Sequence, residues 1–243
     1  MEPGSEAPQA LARRIPFTYI AILAILVVAL WLRVFGPTMH AFDWGDGSFV
    51  HPDENFVSGL VSNLGYPKSP FDLFNPDSTW NPAVSAATAS PPVNGHPAHD
   101  PAGFNYGSLP LYLIKIFTSI LSWMGAHVPG FAVWQNANTI LAGRILSGIF
   151  DTITVFLVFL LGKRLAGERI GLFAAALATF AVLSIQLAHF TTVDSFLTTF
   201  ATGTVLASVT VYEKGRARDF AIVGLWLAAA FATKASAVPL LAT

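Results

Sequence analysis

The chain has no cysteine, which excludes structural disulfides, thiolate metal sites and cysteine nucleophiles together and leaves the redox compartment open. Charge is scarce too. Asp, Glu, Lys and Arg make up 11% of the 243 residues, against roughly 25% in ordinary globular proteins. Neither sign predominates, since 13 basic and 14 acidic residues give a formal net charge of −1. There is therefore no general basic field for nucleic acid and no acidic tail. What fills the sequence is apolar: 53% of it is hydrophobic, and the mean hydropathy is +0.58. That composition argues against a soluble globular protein and for a membrane protein.

A helix needs about 20 mostly apolar residues to cross a hydrocarbon core of about 30 Å, and several intervals supply them. Residues 15–32 lie between Arg14 and Arg33; 145–162 carry only Asp151, 170–193 only His189, 195–212 no charge, and from Phe220 the chain is apolar until Lys234. A sixth interval, 108–127, contains Lys115. The positive-inside rule decides its placement. If it does not cross, Arg13-Arg14, Lys163-Arg164-Arg169 and Lys214-Arg216-Arg218 all fall on one side, the cytoplasm; if it crosses, Lys163-Arg164 moves outside. Residues 108–127 are thus expected to lie in or dip into the outer interface, with Pro110 in the first turn and Lys115 snorkelling.

The expected architecture is all-α and polytopic, with about five transmembrane helices. A cytoplasmic tail (1–14) precedes the first helix (15–35). A long exoplasmic loop (36–136) carries juxtamembrane helices at about 52–64 and 108–127. Helices 2–5 follow within 137–243, at about 137–162, 170–188, 195–212 and 220 onward. The sequence stops inside an apolar stretch with no stop signal, as the N-terminal part of a longer protein would. Arg13-Arg14 before an apolar run resembles a signal peptide, but the run is long and no small-x-small cleavage site follows, so an uncleaved anchor is expected. The multi-pass protein is placed in the plasma membrane.

In this topology all six histidines and most acids face outward. A loop of such length calls for structure or function, although its stretch 66–101 is rich in Pro, Ser, Asn and Gly and reads as irregular. The most informative segment is His51-Pro52-Asp53-Glu54, followed by Phe56, Val57, Leu60, Val61 and Leu64 at helical spacing. It predicts a short amphipathic helix starting at Pro52 and lying against the membrane, with Asp53 and Glu54 in a first turn that favours carboxylates. The bland reading is ordinary helix-start acids. Asp194, between two apolar runs, is costly unless it faces protein or water; it is expected on the same side as Asp53. Arg144 and Lys234, at outer span ends, either snorkel or neutralise a lipid phosphate, and Asp151 pairs with another helix. His51, Glu54 and Asp194 are candidate ligands for a divalent ion. The Asp43–Ser48 loop lacks the EF-hand spacing, and His96-Pro97-Ala98-His99-Asp100 reads as solvated.

His-Pro-Asp-Glu after a first span, then Phe104-Asn105-Tyr106-Gly107-Ser108-Leu109-Pro110-Leu111, then Gly143-Arg144-Ile145-Leu146-Ser147 running to Leu161-Gly162-Lys163-Arg164, together resemble the N-terminal half of a GT-C-type glycosyltransferase. The chain is most similar to the dolichyl-phosphate-mannose–protein mannosyltransferase-like family, and the similarity continues through His189–Asp194 and Ala232–Ala237. The resemblance implies a polyprenyl-phosphate-linked sugar as donor and an outward-facing site. It implies Asp53 as catalytic base and Asp194 as a second acid that supports the site or a metal. One departure is that Ser108-Leu109-Pro110-Leu111 stands where the related aminoarabinose transferases carry Lys-Pro-Pro-Leu.

The chemistry agrees. Transfer to a hydroxyl needs a base, here Asp53 with Glu54 beside it, and the leaving phosphate needs positive charge, from Arg144, Lys234 or a divalent ion. The expected function is a membrane glycosyltransferase moving a mannose-like sugar to a hydroxyl on a protein, lipid or glycan, among membrane lipids and without nucleic acid. The alternatives are a secondary transporter using Asp194, Arg144 and Asp151, or a non-catalytic membrane anchor. Transporters bind at the bilayer midplane, whereas these charges gather at one face.

Overall fold

The computed structural model describes residues 17–35, 51–69, 71–72, 75, 77–81, 106–135 and 137–242. The N-terminal tail with Arg13 and Arg14, His40, the Asp43–Ser48 loop and the His96–Asp100 cluster lie outside the described residues. The described chain is helical: α1 (Phe17–Val34), α2 (Pro52–Asn63), α3 (Leu109–His127), α4 (Thr139–Ala166), α5 (Glu168–Thr179), α6 (Val182–Ala188), α7 (Asp194–Lys214) and α8 (Ala217–Phe231), with short 3-10 segments at Ala132–Trp134 and Ala235–Ala242. The polytopic all-α expectation holds.

Helix α4 is the axis of the bundle, packing against α1, α5 and α7 and touching α2 and α3 near its start. Asn138 caps it by accepting from the Leu141 amide at 2.8 Å, and Lys163 and Arg164 occupy its last turn, where the helix dipole favours cations. At that end Arg164 donates twice to Glu213 of α7, at 2.9 and 2.7 Å, and Lys163 pairs with Glu168 of α5 at 2.6 Å. The outer surfaces are apolar: Phe17, Leu23 and Val27 of α1, and Phe173 and Leu177 of α5, are exposed. That suits lipid as the solvent.

Among the described residues four helices, α1, α3, α4 and α7, are long and apolar enough to cross a membrane, and α5 with α6 make a fifth if the bent pair counts as one span. Two details differ from expectation. The span expected at 170–188 is broken at Phe180-Ala181 and bends by 59°. The span expected from Phe220 onward is a helix of 15 residues, about 22 Å at 1.5 Å per residue, because the chain after it leaves the helix to pair with the loop before α3. Helix α3 passes the same length test as the spans, so only the distribution of charge argues for its interfacial placement.

The apolar face of α2 was expected on lipid. It packs on protein instead: Val57, Leu60, Val61 and Leu64 join Leu111 and Ile114 of α3, Ala142 and Leu146 of α4 and Phe196 of α7 in one core cluster. An apolar stripe fits lipid and protein equally, and here α3 and α4 supply the cover. This cluster is the floor under the site described below.

The break after α5 has an identifiable partner. Arg33, at the end of α1, is fully buried. Its Nε donates to Asp151 at 2.5 Å, its Nη1 to the Ala29 and Thr179 carbonyls at 3.1 and 3.2 Å, and its Nη2 to the Ala178 carbonyl at 3.2 Å. A helix end leaves carbonyls without intrahelical donors, and the guanidinium fork satisfies two of them while meeting a carboxylate on α4. Asp151 pairs with another helix, as expected; Arg33 is far more than a boundary charge. Removing one partner of a buried pair costs about 3–5 kcal/mol, whereas an exposed pair contributes about 0–1 kcal/mol. Thermal unfolding in detergent is therefore expected to show Asp151→Asn strongly destabilised and Lys163→Gln close to wild type. Equal midpoints would contradict this assignment.

Candidate active site

Four chain segments far apart in sequence meet above the core cluster: the start of α2, the stretch Tyr106–Leu109 before α3, and the 189–194 and 232–234 corners of the bundle. Backbone bonds join two of them directly. Tyr106 and Lys234 form an antiparallel bridge, with the Gly107 amide donating to the Thr233 carbonyl at 2.8 Å and the Leu109 amide to Ala232 at 3.0 Å. A Cβ at Gly107 would overlap the Ala232 carbonyl, so only glycine permits this approach.

At the start of α2 the two adjacent acids part company. Glu54 is fully buried. Its carboxylate accepts two bonds from Arg144 of α4, from Nε at 2.8 Å and from Nη2 at 3.0 Å, and another from the Thr191 amide at 2.9 Å. A fork-to-fork pair of this kind is the strong form of an ion pair. The absence of a side chain at Gly143 lets the Thr191 side chain sit against α4 beside it. Glu54, expected in the catalytic pair, and Arg144, expected on the donor phosphate, are therefore turned toward each other; the Arg144 side chain is 2% exposed. Both hold the frame of the site.

Asp53 faces the other way, with its side chain 36% exposed. Its carboxylate lies within hydrogen-bonding reach of the Tyr106 hydroxyl. Across from it Lys234 donates to Asp194 at 3.1 Å, and the Lys234 ammonium sits 5.6 Å from the Tyr106 ring centroid. Asp194 and Lys234 are each about one-third exposed, at 32% and 31%. The structure thus brings Asp53, Asp194 and Lys234 to one face around Tyr106. Tyr106 was legible only as part of a motif, not as a site residue. Burial first, then the charge of Asp53, its hydrogen bond and the charge of Asp194 push the Tyr106 phenol up to about 12. At neutral pH it is a hydroxyl that donates.

His51 caps α2, its Nδ1 accepting from the Asp53 amide at 3.2 Å. The trio expected to bind a divalent ion, His51, Glu54 and Asp194, does not assemble: among the described residues no group of three or more such side chains is placed to hold a metal. The physical reason is that the Glu54 carboxylate is committed to Arg144 and the Thr191 amide.

Two measurements test this arrangement. Glu54→Gln leaves Arg144 buried without its counter-charge and is expected to cost about 3–5 kcal/mol of stability, read as a fall in thermal midpoint; an unchanged midpoint would deny the pair its structural role. Tyr106, followed by phenolate absorbance against a Tyr106→Phe control, is expected to titrate near 12, and Asp53→Asn is expected to bring it down. Because its folded value is raised, its contribution to stability is complete below about 10 and is lost as pH rises toward 12. A titration unmoved by Asp53→Asn would separate the two groups.

No curated protein and no solved structure matches the chain. A family model does, over residues 109–243, from the start of α3 through Arg144, Asp194 and Lys234. That is more than half of the chain, and it contains both halves of the Lys234–Asp194 pair and the arginine that anchors Glu54. An all-helical membrane bundle carrying these residues at one end belongs to the dolichyl-phosphate-mannose-protein mannosyltransferase family.

Proposed function

We propose that this membrane glycosyltransferase moves a mannose-like sugar from a polyprenyl-phosphate donor to a hydroxyl acceptor, with Asp53 as general base. The observation that carries the reading is the contrast in exposure at the start of α2. Glu54 is sealed into a pair with Arg144, while Asp53 stays open beside Tyr106 and the Lys234–Asp194 pair. A group that is to meet substrate must be reachable, and one that fixes a frame must not move.

In the reaction the acceptor oxygen attacks the anomeric carbon as its proton passes to the Asp53 carboxylate. The bond from that carbon to the phosphate oxygen breaks, and polyprenyl phosphate leaves with the electron pair. Lys234 is the cation placed to meet charge growing on the phosphate, and Asp194 fixes its ammonium at 3.1 Å. The Tyr106 hydroxyl, neutral at working pH, orients the Asp53 carboxylate. The site is placed on the exoplasmic face of the plasma membrane with the N-terminus in the cytoplasm, because the lysines and arginines at 163–169 and 214–218 then share the inner side. The acceptor is proposed to be a protein hydroxyl.

The transporter reading loses its site. Among the described residues Asp151 pairs with Arg33, Arg144 with Glu54 and Asp194 with Lys234, three separate pairs and not one shared set. The anchor reading gives no reason for a half-exposed acid held beside a phenol.

The test is transfer of labelled mannose from polyprenyl-phosphate mannose to a hydroxyl-bearing peptide, in membranes containing the full-length protein. Asp53→Asn is expected to lower the rate by about 10²–10⁴-fold, the span of general-base catalysis, with expression and thermal midpoint unchanged. Full activity of that variant would defeat the reading.

A further inference from the structure

Helix N-caps are usually Ser, Thr, Asp or Asn, whose short side chains accept from an amide in the first turn. In α2 the position is held by a histidine, whose Nδ1 accepts from the amide of Asp53, the second helical residue, at 3.2 Å. The same nitrogen is 4.0 Å from Asp53 Oδ2, and among the described residues no other charged group is within ion-pair distance of the ring. An asparagine would cap the helix as well. What the imidazole adds is reach: its ring packs on Phe190 with centroids 5.2 Å apart at 33°.

Phe190 lies in the segment that holds the rest of the site. The next residue, Thr191, donates its amide to Glu54, and Asp194 binds Lys234. The first turn of α2 is therefore fastened to one short stretch on both sides of Asp53, through His51 before it and Glu54 after it. The Glu54 attachment fixes the position of the helix on the bundle. The His51 attachment fixes the tip, and with it the backbone from which the Asp53 side chain projects and its separation from Lys234.

We infer that His51 is a positioning residue for Asp53: its unprotonated Nδ1, held in place by the ring contact with Phe190, fixes the first turn so that the carboxylate is presented to substrate. The inference rests on the reading of Asp53 as the base. An acceptor at Nδ1 places the proton of the neutral ring on Nε2, so the contact to the Asp53 amide depends on one nitrogen of the ring. A misplacement of about 1 Å at a reacting group can cost about 10²-fold in rate, which sets the scale expected.

The experiment compares His51→Ala, His51→Phe and His51→Asn in the full-length protein reconstituted in nanodiscs, by steady-state transfer of labelled mannose and by amide hydrogen exchange at residue 53. His51→Ala and His51→Phe, which lack the acceptor, are expected to lose at least tenfold in kcat with KM for the donor within about twofold, and to exchange the residue 53 amide faster. His51→Asn, which restores an acceptor but not the contact with Phe190, is expected to slow exchange and to recover part of kcat. Thermal midpoints identify any variant that fails to fold; since asparagine is a favourable cap, His51→Asn remains interpretable. Wild-type kcat in His51→Ala, a change confined to KM, or no recovery by asparagine would each overturn the inference. The two readings fail separately. An active Asp53→Asn defeats the base assignment while the exchange data still report the cap, and unchanged exchange in His51→Ala defeats the cap alone.

Discussion

The site depends on a single buried contact, the two-pronged pair between Glu54 and Arg144. Glu54 opens a short helix in the loop after α1, and Arg144 stands one turn into the longest helix of the bundle, 90 positions later. Both are out of contact with solvent. Removing one partner of a buried pair such as this is costly. The pair helps to specify where α2 sits: displacing that helix would break its charge-assisted bonds. The Thr191 amide, donating to the same carboxylate, extends the constraint to the corner that leads into α7. Three elements are registered by one side chain, and Asp53 comes into place because it is the neighbour of that side chain.

The same logic operates deeper in the bundle. Arg33 and Asp151 form a second pair from which solvent is excluded, and the guanidinium also takes carbonyls freed where α5 ends. Both arginines act as structural cations, each joined to an acid on another element. At the site, the described ionisable groups left partly open include Asp53, Asp194 and Lys234, together with the phenol of Tyr106. Exposure thus separates two populations of charge that look alike in the sequence. Those that hold the fold are sealed; those with room for a reactant border the surface.

Much of this could be read from the sequence, and the boundary is physical. Spans are visible because hydrophobic length is a local property, and the start of α2 is visible because Pro52 and the acids after it are local helix signals. Pairing across 90 or 118 residues has no local signature. Arg33 sits at the end of an apolar run, where a boundary charge and a buried ion-pair partner read identically. Glu54 and Asp53 are adjacent carboxylates, and only the rotation of about 100° between successive helical residues sends one to Arg144 and the other to the open face. The break at Phe180-Ala181 carries neither proline nor glycine, and the arginine that takes two of the carbonyls before it lies on another helix. Residues 52–64 showed their apolar stripe clearly, yet a stripe does not say whether lipid or protein will cover it, and α3 and α4 did.

The Tyr106–Lys234 bridge explains why the last described helix is short. Continuing α8 as a helix would keep the Ala232 and Thr233 carbonyls for its own ladder; instead they accept from Leu109 and Gly107. What replaces the lost helical turn is a backbone pairing that brings a lysine from the end of the bundle over the ring of a tyrosine from the first loop. The cation is thereby delivered by main-chain bonds, leaving its ammonium to Asp194 and to whatever enters the site. Gly107 is the condition for this, because any side chain there would occupy the position of the accepting carbonyl. Asp53, too, stands between two fastened neighbours, His51 and Glu54, while its carboxylate meets the Tyr106 hydroxyl. At both ends of the site the groups available for chemistry are thus placed by contacts other than the ones they would need to give up to substrate.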